Sequence, residues 1–145
     1  MKNIFIFFVA IILAGCSISK LHSKGANDFI VLFGSGFKND TVSLHIDNKQ
    51  IFKDRILQSD TVSGIVRSVS IVKKNNRLSL LNSKNESMNV MDFNNSKEII
   101  VVIEINHKPH KLAVSLNKGY IIMVNSQSFY NKVNISQNKK VIPLD

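Results

Sequence analysis

In the stretch Thr41-Val42-Ser43-Leu44-His45-Ile46-Asp47, polar and apolar residues alternate without a fault, so that Val42, Leu44 and Ile46 face one way. Successive side chains of a strand point to opposite sides, and a period of two therefore marks a strand with one buried face and one wet face. Asp47-Asn48-Lys49 supplies turn chemistry, and Gln50 to Leu57 can return as the other half of a hairpin. The signature recurs down the chain. Thr61 to Lys73 is rich in β-branched residues, with Val69 and Ile71 set against Ser68 and Ser70, and Arg77 to Leu81 returns after a turn at Asn75-Asn76. Ile99 to Ile105 is the most apolar run and is expected at the centre of a sheet. Asn106-His107-Lys108-Pro109 then turns the chain, and Lys111 to Leu116 points Leu112, Val114 and Leu116 inward. After Asn117-Lys118-Gly119, strands are expected over Tyr120 to Val124, Val133 to Ser136 and Val141 to Leu144. The polar stretch Asn82 to Ser96 reads as a long connection between sheets that holds one short strand. No segment beyond residue 16 keeps a helical period over three turns. Half-buried strands can hide their apolar faces only by stacking sheet on sheet or by closing a sheet on itself. The expected fold of residues 28–145 is therefore all-β, one antiparallel β-sandwich or small barrel.

The residues before this domain have a different character. Met1-Lys2-Asn3 carries one positive charge, Ile4 to Leu13 is purely apolar, and Leu13-Ala14-Gly15-Cys16 closes the segment. A basic start, a short apolar core and small residues at a cleavage point are the parts of a secretory signal. The apolar run falls short of the roughly 20 residues that span a bilayer. Leu13-Ala14-Gly15-Cys16 resembles the lipobox of bacterial lipoproteins, with an aliphatic residue, two small ones and the cysteine whose thiol is alkylated. The resemblance implies that residues 1–15 are a signal peptide recognised through Leu13, Ala14 and Gly15. It implies further that Cys16 takes lipid, with enough acyl chains for stable anchoring where a single chain gives only marginal attachment. Residues 16–27 then form a lipidated polar tether. Ser17, where an aspartate favours inner-membrane retention in enteric bacteria, resembles the outer-membrane default. Cys16 is the chain's single cysteine, so its use by lipid leaves no disulfide, thiolate metal site or thiol nucleophile.

Phe33-Gly34-Ser35-Gly36-Phe37, followed by Asp40-Thr41-Val42-Ser43-Leu44, resembles the first strand and turn of immunoglobulin-like TIG domains, in which G-x-G-F precedes the second strand. The resemblance covers about a dozen residues and implies an immunoglobulin-like sandwich with glycines at a strand corner. The richness in Asn, Lys and Ile is similar to that of small envelope lipoproteins of low-GC Gram-negative bacteria, and it carries no activity over.

The formal charge is +9, and losing Lys2 with the signal segment leaves 18 − 10 = +8. On an exported chain such a charge points to lipid headgroups, anionic glycans or wall polymers rather than to nucleic acid. Lys73-Lys74, Lys108, Lys118 and Lys139-Lys140 read mainly as a solvated surface, with Lys139 and Lys140 the candidate contacts for a polyanion. His107 and His110 flank a Lys-Pro turn, but no third ligand is apparent near them and Lys108 and Lys111 repel a cation, so no metal is expected. No G-x-S-x-G elbow, phosphate loop or privileged pair of carboxylates appears, and neither catalytic residues nor a cofactor are expected. There is no tryptophan; Phe129-Tyr130, beside Asn125 and Asn131, is the candidate ring platform for a sugar. The functional expectation is a membrane-anchored envelope lipoprotein that acts without catalysis as a binding or structural module, with an envelope protein or anionic glycan as partner. The alternatives are an envelope inhibitor of another enzyme and a carbohydrate-binding accessory.

Overall fold

The computed structural model describes residues 28–94, 97–127 and 132–139. The expected signal segment 1–15 with Leu13, Ala14 and Gly15, the lipidation site Cys16 and the tether to residue 27 lie outside the described residues, as do Phe129, Tyr130, Lys140 and the strand expected over 141–144.

Ten strands form two sheets: β1 (Phe29–Phe33), β2 (Lys38–Ile46), β3 (Lys49–Gln58), β4 (Ser70–Lys74), β5 (Arg77–Leu81), β6 (Ser87–Asp92), β7 (Glu98–Ile105), β8 (Lys108–Ser115), β9 (Ile121–Gln127) and β10 (Lys132–Asn138). One sheet has the order β10-β9-β1-β4-β5-β6, the other β3-β2-β7-β8. They pack face to face without closing, so the fold is a β-sandwich and not a barrel. The core is the meeting of two alternating faces. Phe29, Val31 and Phe33 of β1 and Ile122 and Val124 of β9 are buried from one side; Val42, Leu44 and Ile46 of β2 and Val101 and Ile103 of β7 are buried from the other. Phe33 meets Phe37 and Phe52 edge-on at 5.7 and 5.8 Å, the geometry that ring quadrupoles favour.

The hairpins follow from their turn residues. Asp47, Asn75 and Asn106 all hold positive φ, the left-handed conformation that Asn and Asp tolerate best among residues with a side chain. β7, the most apolar strand, lies inside its sheet between β2 and β8, and Val42, Leu44 and Ile46 face inward as the alternation requires. The polar connection after residue 81 holds one strand, β6, at the edge of the six-stranded sheet, before the chain crosses to β7.

Four expectations need correction. The strand expected from Thr61 begins only at Ser70, because Asp60 captures the preceding residues in a closed turn. The turn after β7 is Asn106-His107 alone, with φ of 49 and 65°, and Lys108 and Pro109 already belong to β8. Proline is tolerated there because β8 is an edge strand. The sandwich is not wholly antiparallel: β9 runs parallel to β1, pairing Ile30 with Ile121 and Phe33 with Val124. The cause is the return of the chain from β8, which brings β9 in beside β1 from the same end. Finally, Lys73 is not part of a solvated lysine run. Its side chain is 3 % exposed on the inner face of β4, with its ammonium 3.5 Å from Asp28 Oδ1.

β3 carries a bulge opposite Ser43. The ladder passes from Leu44↔Phe52 to Val42↔Arg55, leaving Lys53 and Asp54 against one residue. The Ser43 hydroxyl fills the gap, accepting from the Asp54 amide at 3.0 Å and donating to its carboxylate at 3.2 Å. This explains a buried serine in the middle of a core strand.

Candidate functional site

The C-terminal end of β1 and the C-terminal end of β3 meet at one pole of the sandwich, and hydrogen bonds weld their loops together. Ser59, the first residue after β3, receives the Phe37 amide on its hydroxyl at 3.0 Å and donates that hydroxyl to the Gly34 carbonyl at 2.7 Å. Its own amide donates to the Phe37 carbonyl at 2.9 Å. Farther along, the Val66 amide donates to the Phe33 carbonyl at 2.8 Å, and Val66 and Val69 are buried. The segment between β3 and β4 is thus rooted at both ends.

Its apex is built around one carboxylate. Asp60 Oδ1 accepts from the Val62 amide at 3.1 Å, the Ser63 amide at 2.7 Å and the Ser63 hydroxyl at 2.9 Å. The Asp60 carbonyl accepts from the Gly64 amide at 2.9 Å, and the Asp60 amide donates to the Ile65 carbonyl at 3.0 Å. The Ser63 amide and then its hydroxyl hold the Asp60 carboxyl below the usual carboxylate range against the opposing effect of desolvation, with lesser help from the Val62 amide and the charge of Arg67. Arg67 lies 3.8 Å away. The loop is therefore set by an anion bound to its own backbone, a self-closed turn of the kind aspartate makes best. It carries Val62 outward at 93 % exposure, far more than Ile56, Met88 or Val90.

The neighbouring β1–β2 turn is held as firmly. Ser35 exchanges backbone bonds with β9 through its carbonyl and the Ser126 amide at 2.9 Å, and its amide donates to Asn125 Oδ1 at 3.0 Å. Gly36 has φ of 92°, and a Cβ there would lie 1.7 Å from the Ser126 carbonyl oxygen. A Cβ on Gly34 would lie 2.1 Å from Asn125 Oδ1. Gly36 is thus required both by its backbone angle and by close approach to the β9 backbone, whereas a side chain at Gly34 would displace the Asn125 amide that binds Ser35.

Beside the loop is an open depression of about 360 Å³ lined by Gln58, Ser59, Asp60, Thr61, Arg67 and Ser68. It offers hydroxyls, an amide, a guanidinium and a carboxylate. The Ser59 hydroxyl is committed to the loop, the Thr61 and Ser68 hydroxyls also line the depression, and no histidine lies among the lining residues. The depression can hold a small polar group of a partner; the apolar apex beside it can enter a hollow.

The residues singled out in the sequence lie elsewhere. Lys139 is exposed just beyond β10, whose Asn138 pairs with Ile121 at the pole opposite the loop. Asn125, expected to flank a ring platform, is bound to Ser35. His107 does have a carboxylate neighbour: Glu104 lies 3.7 Å from its Nδ1, because the two-residue turn folds His107 back onto the end of β7. His110 sits half-buried in β8 opposite Ile103. Among the described residues no cluster of three His, Cys, Asp or Glu could hold a metal ion. The Asp60 loop was masked in the sequence by its β-branched Thr61 and Val62. The signal that reveals it is Asp60 followed by Ser63-Gly64, an acceptor placed to catch amides two and three residues on.

Compared with known protein families, curated proteins and solved structures, the chain has no match.

Proposed function

We propose that this protein is a lipid-anchored module of the bacterial envelope, of outer-membrane location, that binds a protein partner without catalysis. The observation that carries the reading is the Asp60-braced loop, which holds Val62 93 % exposed on a turn fixed by its own hydrogen bonds. An ordered loop loses little conformational entropy on binding, so a small apolar apex can contribute usefully to affinity. The anchor belongs to the same proposal and rests on Leu13-Ala14-Gly15-Cys16.

The inhibitor reading draws on the same loop, since a preformed protruding turn is suited to enter another protein's cleft. The basic balance of the chain favours an acidic target over a cationic one.

The test is capture from detergent-solubilised envelopes with the full chain and with Val62→Asp. The wild type is expected to retain a protein partner that Val62→Asp loses while its β-type circular dichroism stays unchanged. Equal capture by both removes the loop from the function. Retention of glycans in place of protein on an array supports the carbohydrate-binding alternative instead.

A further inference from the structure

Sheet edges invite pairing with other chains, and proteins guard them with lysine, proline and bulges. Both edges of the four-stranded sheet are guarded in this way. β3 carries Lys49, Lys53 and several breaks in register, and β8 carries Lys108, Pro109 and Lys111. β6 closes the six-stranded sheet with no further strand beyond it among the described residues; its stretch Ser87-Met88-Asn89-Val90-Met91 holds neither charge nor proline, and its one charged residue is Asp92 at its end. Its one irregularity with β5 lies at the Leu80–Leu81 end and leaves Asn89 to Asp92 in unbroken register. Along this edge Met88 and Val90 stand 40 % and 48 % exposed.

A second observation comes from the other sheet. Arg55 of β3 reaches across to β6, where its Nη2 lies 3.4 Å from Met88 Sδ, and its guanidinium stands 5.9 Å from the Phe52 ring centroid. A thioether is a weak acceptor, and no carboxylate pairs with Arg55 among the described residues. Of the two acids nearest, Glu86, just before β6, accepts from Asn82 at 2.9 Å, and Asp92, its last residue, stands opposite Arg77 in register while its main-chain carbonyl accepts the Lys49 ammonium. Short of the Asp92 carbonyl, which Lys49 occupies, the edge thus offers an open ladder, two apolar side chains and one cation without an anion among the described residues.

We propose that β6 accepts an extended segment of an acidic partner protein as a seventh strand, with apolar residues beside Val90 and a carboxylate that replaces Met88 as the acceptor for Arg55. Backbone pairing supplies the affinity in this mode and the side chains supply the choice of partner. The charge of the chain argues against a second copy as occupant, since two strongly basic molecules repel, and favours an acidic one. The site is separate from the Val62 loop and stands whether or not that loop binds.

The experiment uses the full chain in detergent and two amide-capped nonapeptides. One alternates valine with glutamate and threonine; the other has lysine in place of each glutamate. Binding is read by fluorescence anisotropy, and its location by hydrogen exchange. The glutamate peptide is expected to bind at least about tenfold more tightly than its lysine twin, a difference of roughly 1.4 kcal/mol, and to slow exchange of the β6 amides. High salt shrinks the difference, and Arg55→Glu inverts it. Val90→Pro, which deletes a ladder donor, abolishes binding; Val90→Lys, which keeps the backbone intact, weakens it should the proline variant fail to fold. Equal binding of the two peptides, binding of neither, or protection away from β6 overturns the proposal. So does concentration-dependent protection of β6 without peptide, which makes a second copy the occupant.

Discussion

The buried pair Lys73–Asp28 makes a sharp test of the packing because the two partners differ in their access to water. The Lys73 side chain is 3 % exposed, that of Asp28 15 %, with 3.5 Å between charged atoms. Removing one member of a buried pair strands the other and typically costs about 3–5 kcal/mol. The contact is longer than the roughly 2.7–2.9 Å of a strong charge-assisted bond, which places Asp28→Ala at the low end, about 3 kcal/mol. Lys73→Met keeps the apolar stem packed and leaves Asp28 near enough to solvent to rehydrate, so it is expected to cost about 1 kcal/mol. The double variant Asp28→Ala/Lys73→Met is expected within about 1 kcal/mol of wild type, a coupling of roughly 3 kcal/mol. For a domain of this size the single Asp28 variant corresponds to a loss of about 10–15 °C in Tm. Urea unfolding of a soluble chain beginning at Lys24 measures all four stabilities, with an unchanged denaturant slope as the check on two-state behaviour. If Asp28→Ala costs under about 1 kcal/mol, or the double variant is as unstable as the single, the pair is not linked energetically and the reasoning fails.

Four further outcomes are expected. Ile103→Ala, in the fully buried inner face of β7, costs about 2–5 kcal/mol, whereas Ile56→Ala, 59 % exposed, stays within about 0.5 kcal/mol; equal shifts in denaturation midpoint contradict the assigned faces. Asp60 is held below the usual carboxylate range, so its bracing of the loop is full above the ordinary aspartate value and is lost as pH falls beneath it; the protection of the Val62 and Ser63 amides, taken relative to intrinsic exchange at each pH, falls on acidification in the wild type and is already low at neutral pH in Asp60→Ala. Gly36→Ala combines positive φ with overlap on the Ser126 carbonyl and costs at least about 1–3 kcal/mol by thermal unfolding; a neutral effect means the turn is not held against β9. Cys16→Ser abolishes palmitate incorporation and leaves the precursor uncleaved, and normal labelling in that variant removes the lipid anchor from the proposed function.

The sandwich was legible wherever one face of a strand is wet. Val42, Leu44 and Ile46 against Thr41 and His45 announce β2 because a single residue's slip would turn every one of them outward. Ile99 to Ile105 announces β7 through its apolarity alone, as an inside strand of its sheet should. Two of the failures share a physical origin, side chains that bind locally or at long range in ways periodicity does not record. Thr61 and Val62 have strand propensity, yet one carboxylate at Asp60 offers their backbone a better set of partners than a ladder does. Lys73 reads as surface because lysine nearly always is, and only Asp28, 45 positions away, makes its burial tolerable. Parallel pairing of β1 with β9 leaves no local mark, since the strands' partners are set by the route of the chain between the sheets.

The topology also separates the two ends of the molecule by what they can do. Asp28 precedes β1 and Gly34 follows it, so the chain enters the domain at one pole and the Gly34–Phe37 turn lies at the other, about 17 Å away at roughly 3.3 Å per residue. The register of the sheets carries the same polarity outward. β3 ends at Gln58 beside the Lys38 end of β2, and β7 ends at Ile105 opposite Val42. The turns at 59–69 and 106–107 therefore belong to the far pole with Gly34–Phe37, while Lys139 and the Asp47-Asn48 turn belong to the near one. With lipid on Cys16, the twelve residues 16–27 reach at most about 40 Å when fully extended, and the Asp60 loop points away from the attachment. On the proposals above, a partner at Val62 would meet the pole remote from where the chain enters the domain, while a strand joining β6 would run along the flank between the poles. The two proposed surfaces lie on different sides of the sandwich, so that a molecule occupied at one would still be open at the other, and two partners held together in this way would each raise the local concentration of the other.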